Sequence, residues 1–124
     1  ILMKKISVIV TTLLLTLSAS AQFTQKALPY SYDALEPFVD AQTMEIHFNK
    51  HHAAYVKNLN AAVVGTENEK QSVNEILAKV SSLSPTIRNN AGGHFNHELF
   101  WSVLTPEKNT KPSAELEKAI QSYV

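Results

Sequence analysis

The apolar residues between positions 44 and 63 recur at the spacing of one helical face. Their separations are four or seven residues, and each such step returns to nearly the same side of an α-helix. Asp40 is a suitable N-cap, and Gly65 is a natural stop. We therefore predict a helix over about 41–64 that must bury this face against a partner. The residues of the face are Met44, Phe48, Tyr55, Leu59 and Val63.

A shorter helix is predicted over 72–83, after a polar loop. Ser72 is its expected N-cap, because a serine side chain can accept a hydrogen bond from the first turn. Ile76, Leu77 and Val80 have the spacing of a buried face. This helix therefore offers a second apolar surface to the core.

A second long helix is predicted from Ser84-Pro85 to about Leu104, since proline at the first helical position loses no hydrogen bond. Segment 105–113 has the composition of a linker, and 114–124 begins one more helix. The sequence contains no convincing strand. We therefore predict an all-α chain as given, built on an N-terminal helical hairpin.

The first 21 residues have the features of a secretory signal peptide. Two lysines precede an apolar run at 6–17, and Ala19 and Ala21 form an A-x-A pattern. The run is shorter than the ~20 residues that a bilayer span requires, so we favour a cleaved signal over a membrane anchor. We therefore predict an exported protein, periplasmic or secreted, with no membrane attachment after signal removal.

The composition excludes several kinds of site. There is no cysteine, so disulfides and thiolate metal sites are impossible, and any metal must have nitrogen or oxygen ligands. Eleven basic and eleven acidic side chains cancel. This balance gives no electrostatic case for nucleic acid as a partner.

The first helix carries three of the five histidines. His47, His51 and Tyr55 are four apart and line up on one side of an α-helix. His52 points away from that line and is predicted to be solvated. The HxxxH spacing also occurs in zinc proteases, but the position after the first histidine is Phe48 rather than the glutamate that such enzymes use as a base.

The second long helix carries the other two, His94 and His97, with Trp101 one turn later. If the helices pack antiparallel, an imidazole from each can meet across the interface and form a metal site, as in other helical bundles. Gly92 and Gly93 are costly inside a helix. They indicate either a kink or the close approach of a bulky group, and we favour the second.

These residues alone leave two non-enzymatic alternatives open. One is an exported helical binder of Cu(II) or Zn(II) that uses His47, His51, His94 and His97. The other is a structural hairpin that partners another chain, with the histidines as ordinary interface residues.

Two segments carry a specific family resemblance. LPYSYDALEPFVDAQTMEIHFNKHHAAYVKNLN and NNAGGHFNHELFWSVLTP resemble the N-terminal half of iron/manganese superoxide dismutases. The resemblance implies a fold with an N-terminal helical hairpin and a C-terminal α+β domain. It also implies a metal held between them by three histidines, one aspartate and a solvent molecule. The implied activity converts two superoxide ions and two protons to O2 and H2O2 by redox cycling of bound manganese or iron.

By this resemblance His47 and His97 are metal ligands, whereas His94 is not at a ligand position. His51 and Tyr55 are implied as catalytic residues that line the substrate channel, where they gate entry and supply protons. The resemblance also implies roles beside the metal for two residues of the second helix, the first forming an aromatic wall of the site and the second bearing on which metal is bound. These are Trp101 and Gly93.

Manganese-type members have glycine where Gly93 stands, and iron-type members commonly have glutamine there, so manganese, or a site that accepts either metal, is preferred to strict iron. The resemblance divides the chain into a signal peptide at 1–21, a hairpin domain at 22–105, and a linker with the first helix of a C-terminal domain at 106–124. The remaining aspartate and histidine ligands would lie in sequence that is absent here. We therefore expect a fragment that binds metal weakly and is inactive alone, and a homodimer when the protein is complete.

Overall fold

The first long helix, α1, extends over 41–63 in the computed structural model, which describes residues 22–123. Asp40 caps it as predicted, accepting a hydrogen bond from the Thr43 backbone N–H at 2.8 Å. The middle of the helix is not α-helical. Its three parts are α-helical Ala41–Ile46, π-helical His47–His52 and α-helical Ala53–Val63.

The π-helical turn changes which side chains share a face. In such a turn an N–H bonds to the carbonyl five residues back, as the Ala53 N–H does with Phe48 O. Five residues of regular α-helix would end about 140° past the starting face. The wider turn reduces that offset and brings His52 towards the side of α1 that carries His47.

The connection between the long helices contains a short helix, α2, at Val73–Ala78, between 3-10 turns at Glu67–Lys70 and Val80–Ser82. Ser72 caps α2 as predicted. The predicted burial of Ile76 is confirmed, but that of Val80 is wrong. The α-helix ends at Ala78, and the following 3-10 turn rotates Val80 outwards, where 40% of its surface is exposed.

The second long helix, α3, is Pro85–Val103 and begins at the predicted Ser84-Pro85, where Ser84 Oγ accepts a hydrogen bond from the Ile87 N–H. It packs antiparallel to α1, as the cross-helix histidine pairs described below require. The helix is continuous through Gly92 and Gly93, so the kink that the sequence left open does not occur.

Two buried clusters flank the histidines along this hairpin. The larger one joins α1, α2 and α3 with Phe23 of the N-terminal arm. The smaller one lies at the other end of the hairpin and contains Leu35, Met44 and Trp101. The buried residues of the larger cluster are Phe23, Val56, Leu59, Val63, Ile76, Ile87 and Ala91.

The arm at 22–39 is irregular, as predicted, and is tied to both long helices. Gln25 donates a hydrogen bond to Phe48 O in the π-helical turn at 2.9 Å. The Tyr30 hydroxyl donates to Trp101 O at 3.0 Å. The arm therefore braces the part of the hairpin that carries the histidines.

A last helix, α4, is Ala114–Gln121 and buries none of its residues. Within 22–123 there is no strand, which confirms the all-α prediction for these residues. No helix in this range is long and apolar enough to cross a bilayer. The predicted signal peptide at 1–21 lies outside the described residues, so its boundaries stay a prediction.

Candidate metal centre

His47 of α1 and His97 of α3 face each other across the hairpin. Their Nε2 atoms are 2.9 Å apart, and their rings are nearly perpendicular, at 80°. His97 donates its Nδ1–H to the carbonyl of Gly93 at 2.7 Å, so the neutral ring has an unprotonated Nε2 on the side of His47. The predicted convergence of one imidazole from each helix is therefore observed.

The environment of His47 favours its neutral form. Burial lowers its pKa from the usual value, and the neighbouring His97 and His51 lower it further. A neutral imidazole is the form that binds a metal ion, because only it has a free nitrogen lone pair. The ring also contacts the Trp101 indole at 4.8 Å between centroids.

A cavity of about 490 Å³ opens beside this histidine pair. His51 is exposed at its side, with its ring 5.9 Å from that of His47. The Tyr55 ring lies 5.3 Å from that of His97. The structure thus brings four of the predicted site residues to one cavity. Its lining residues are Thr43, Ile46, His47, His51, Tyr55 and His97.

Gly93 has a defined steric role. A Cβ atom at this position would lie 2.5 Å from both Cγ and Cε1 of Tyr55. At Gly92 a Cβ would meet nothing within 4 Å. The interpretation that a bulky group approaches the glycine pair is therefore confirmed for Gly93 alone, and the group is the Tyr55 ring.

His52 lies in a second histidine cluster, with His94 and Trp101, and its predicted solvation is wrong. It is 1% exposed, and its Nε2 is 2.9 Å from Nδ1 of His94, which is 4% exposed. The sequence argument assumed a regular α-helix, in which His52 would point away from His47. The π-helical turn instead directs it into the helix interface.

The hydrogen-bond directions in this second cluster follow from the one group that can only donate. The Trp101 Nε1–H donates to His52 Nδ1 at 3.1 Å, so His52 carries its proton on Nε2. His52 then donates to His94 Nδ1, and the proton of His94 is on its Nε2, 4.0 Å from a Glu98 carboxylate oxygen. The chain of contacts ends at Lys26, 3.4 Å from Glu98.

Both histidines of this cluster are held neutral. Burial, followed by the nearby His94, His97 and His47, lowers the pKa of His52 to about 4. Burial also lowers the pKa of His94, although the Glu98 carboxylate opposes that effect.

The two clusters separate the four histidines of the proposed Cu(II) or Zn(II) binder. His94 contacts His52 and does not line the cavity that His47, His51 and His97 share, so the four histidines of that alternative are not gathered at one site. Within 22–123 no group of three or more His, Cys, Asp or Glu residues is placed to hold a metal ion. The paired Nε2 atoms fit an ion as two nitrogen ligands.

Comparison with known proteins identifies the family. The sequence model of the iron/manganese superoxide dismutase α-hairpin domain matches residues 22–105. The chain belongs to the iron/manganese superoxide dismutase family. The all-helical hairpin is consistent with that family's N-terminal domain.

Similar family members carry different metal names. A superoxide dismutase [Fe] of Raoultella planticola is 50% identical over 99 residues, covering 77% of this chain and 58% of the relative. A superoxide dismutase [Mn] of Pseudomonas putida is 50% identical over 105 residues, covering 82% and 52%. A superoxide dismutase [Mn/Fe] of Methylomonas sp. (strain J) is 49% identical over 106 residues, with the same two coverages. The chain thus spans about half the length of these relatives.

Sequence reasoning missed the pairing of His52 with His94. A signal was present in the order of the histidines. In α1 the residue number rises from His47 to His52, and between their partners in α3 it falls from His97 to His94. In an antiparallel hairpin this order allows two cross-helix pairs. Only a π-helical turn makes the first step compatible with one face, and no local pattern indicated that turn.

Proposed function

We propose that the protein is a superoxide dismutase in which His47 and His97 supply two ligands to manganese or iron. The observation that carries the proposal is the 2.9 Å separation of their Nε2 atoms beside an open cavity. Family membership supports it. A bound ion would supply a one-electron couple that oxidises one superoxide ion to O2 and reduces a second to H2O2 with two protons.

The chain's own residues prepare the site for such an ion. The Gly93 carbonyl accepts a hydrogen bond from Nδ1–H of His97, which leaves the lone pair of Nε2 free to bind a metal ion. Hydrogen bonds of this kind fix the tautomer and ring orientation of metal-ligating histidines. The Trp101 ring lies against His47 and forms an apolar wall that keeps water from that side.

His51 and Tyr55 are proposed to act on the substrate side. Both line the cavity through which a small anion would reach His47 and His97. An imidazole and a phenol can each donate a hydrogen bond and exchange a proton, and product H2O2 requires two protons. Their position supports a role in proton supply and in controlling access.

Manganese is proposed as the preferred metal. The relatives named for iron and for manganese are equally similar, so the preference depends on Gly93. A side chain at that position would collide with Tyr55, so the glutamine of iron-type members would require a different place for this ring. Loading the metal-free protein separately with Mn and Fe and comparing activity per bound ion tests the preference. Equal or higher activity with Fe would contradict it.

Several properties of the whole protein remain part of the proposal. Neutral His47 and His97 cannot compensate the charge of a trivalent ion, so residues 22–124 alone should bind metal weakly and lack activity.

The resemblance supports a homodimer near the His51 and Tyr55 channel, and the N-terminal pattern supports export. Light scattering of the complete protein and mass spectrometry of the exported form test these two points.

The central experiment measures metal content and superoxide dismutation in the complete protein and in two variants. His97→Gln should lower the bound Mn or Fe at least about tenfold, since it removes a ligand. His51→Gln is the matched control: it should keep the metal while lowering turnover. A wild-type protein with neither bound metal nor activity would refute the proposed function, and the structural-hairpin alternative would then be favoured.

A further inference from the structure

The second histidine cluster lies directly behind the proposed ligand pair. Its three side chains are His52, His94 and Trp101, with exposures of 1%, 4% and 4%. None of the three lines the cavity beside His47 and His97. Any effect of this cluster on a substrate in that cavity therefore passes through the side chains that line it.

Both nitrogens of His52 are engaged, with opposite roles. Nδ1 accepts the Trp101 Nε1–H at 3.1 Å, and Nε2–H donates to His94 at 2.9 Å. A side chain at position 52 must therefore offer one acceptor and one donor to keep both bonds. An apolar replacement would leave the buried indole N–H without a partner, and a buried unsatisfied donor is unfavourable.

The same side chain contacts both parts of the proposed metal centre. The His52 ring is nearly parallel to that of His97, at 15° and 5.2 Å between centroids. Through its hydrogen bond it also sets the position of the Trp101 indole, whose ring meets His47 at 4.8 Å. His52 thus limits the movement of one proposed ligand directly and of the other through Trp101.

We infer that His52 is a positioning residue of the metal centre, which fixes Trp101 by a hydrogen bond and supports the ring of His97 from behind. This inference rests on the proposed function, because the effect is measured on the metal and on turnover. It does not require His52 to touch the ion or the substrate. The bond to His94 holds the second nitrogen of His52 and so fixes the orientation of its ring.

A matched pair of substitutions tests the inference in the complete, metal-loaded protein. His52→Gln retains an acceptor and a donor, whereas His52→Leu retains neither. The control Ile76→Val removes a methylene from a fully buried residue of α2, a helix that carries no histidine. It reproduces a loss of stability without touching the site. All variants are measured well below their unfolding temperatures.

Two readouts separate positioning from simple packing. Trp101 is the only tryptophan, so the emission spectrum of the protein reports directly on its indole. His52→Leu should shift that spectrum and lower kcat/KM about tenfold or more, which is typical when a supporting partner of a metal ligand is removed. His52→Gln should stay within about threefold of wild type, since it restores both bonds. Ile76→Val should change neither readout.

A double-mutant cycle tests whether His52 acts on the site through its hydrogen bond to Trp101. Trp101→Phe keeps an aromatic wall but removes the N–H, so it should itself lower kcat/KM, and adding His52→Leu should then cost less than in the wild type. If His52→Leu does not fold, Trp101→Phe alone carries the test.

The inference is overturned if the wild type is active but His52→Leu, or in its place Trp101→Phe, keeps wild-type kcat/KM. It is also overturned if His52→Gln loses as much as His52→Leu, because packing alone would then explain both. Absence of activity in the wild type is a different result. It would refute the proposed function, while the emission spectra would still report on the His52 bond.

Discussion

Replacing Gly93 with alanine should disrupt the contact between α3 and the Tyr55 ring of α1, beside the proposed metal centre. The new Cβ would lie 2.5 Å from two atoms of the Tyr55 ring, including Cγ near the root of that side chain. Ordinary carbon contacts are about 3.5 Å or longer, so the ring or a helix must move by about 1 Å. Cγ cannot withdraw by a rotation of the ring alone, so a backbone shift or a new rotamer is required.

The adjacent Gly92 is a matched control for the magnitude. Both glycines are inside α3, so alanine at either gains about 1 kcal/mol of helix propensity. Gly92→Ala meets nothing and should be stabilising by up to that amount. Gly93→Ala also bears an overpacking cost of about 1–3 kcal/mol. The difference between the two variants isolates the overpacking cost, because the propensity gain is common to both.

Urea unfolding of the two variants measures this difference, with the unfolding free energies extrapolated to water using one m-value for both. Gly93→Ala should be the less stable variant by about 1–3 kcal/mol and should show reduced dismutation, because Tyr55 is displaced. In a Tyr55→Ala background the penalty should disappear. Equal stabilities of Gly92→Ala and Gly93→Ala, within about 0.5 kcal/mol, would refute the steric argument.

Three further predictions concern pH and local hydrogen bonds. Burial and neighbouring histidines hold the pKa of His52 at about 4, against an ordinary value of 6.5. Between these values the unfolded chain binds a proton that the fold excludes. The contribution of neutral His52 to the unfolding free energy of the metal-free protein should therefore be complete above about pH 6.5. The unfolding free energy should fall by up to about 3 kcal/mol as the pH drops to about 4. Urea unfolding at several pH values across this range should show that the unfolding free energy of His52→Gln depends less on pH than that of the wild type. Ser72→Ala removes the hydrogen bonds that Ser72 Oγ makes with the carboxylate and the backbone N–H of Glu75 and should cost about 1 kcal/mol in urea unfolding without changing metal content. Tyr30→Phe removes the hydrogen bond to Trp101 O and should cost about 1 kcal/mol by the same assay, and an unchanged value would contradict the bracing role of the arm.

The helices and their caps could be predicted from the sequence because each depends on residues within about one turn. Asp40, Ser72 and Ser84 all accept the expected first-turn hydrogen bond. Where the prediction failed, the local backbone departed from a regular helix. Val80 lies in a 3-10 turn and His52 in a π-helical turn, and a fixed 100° advance per residue misplaces both.

The sequence by itself determined that two helices would each present histidines, and its family resemblance singled out His47 and His97 as the pair expected to meet. Only the tertiary structure decided the rest: that His52 pairs with His94, and that the Tyr55 ring occupies the space over Gly93. Helical periodicity is a property of one chain segment, so it can be derived locally. Which nitrogen faces which partner depends on the rotation and register of two packed helices, and side-chain packing across their interface sets both.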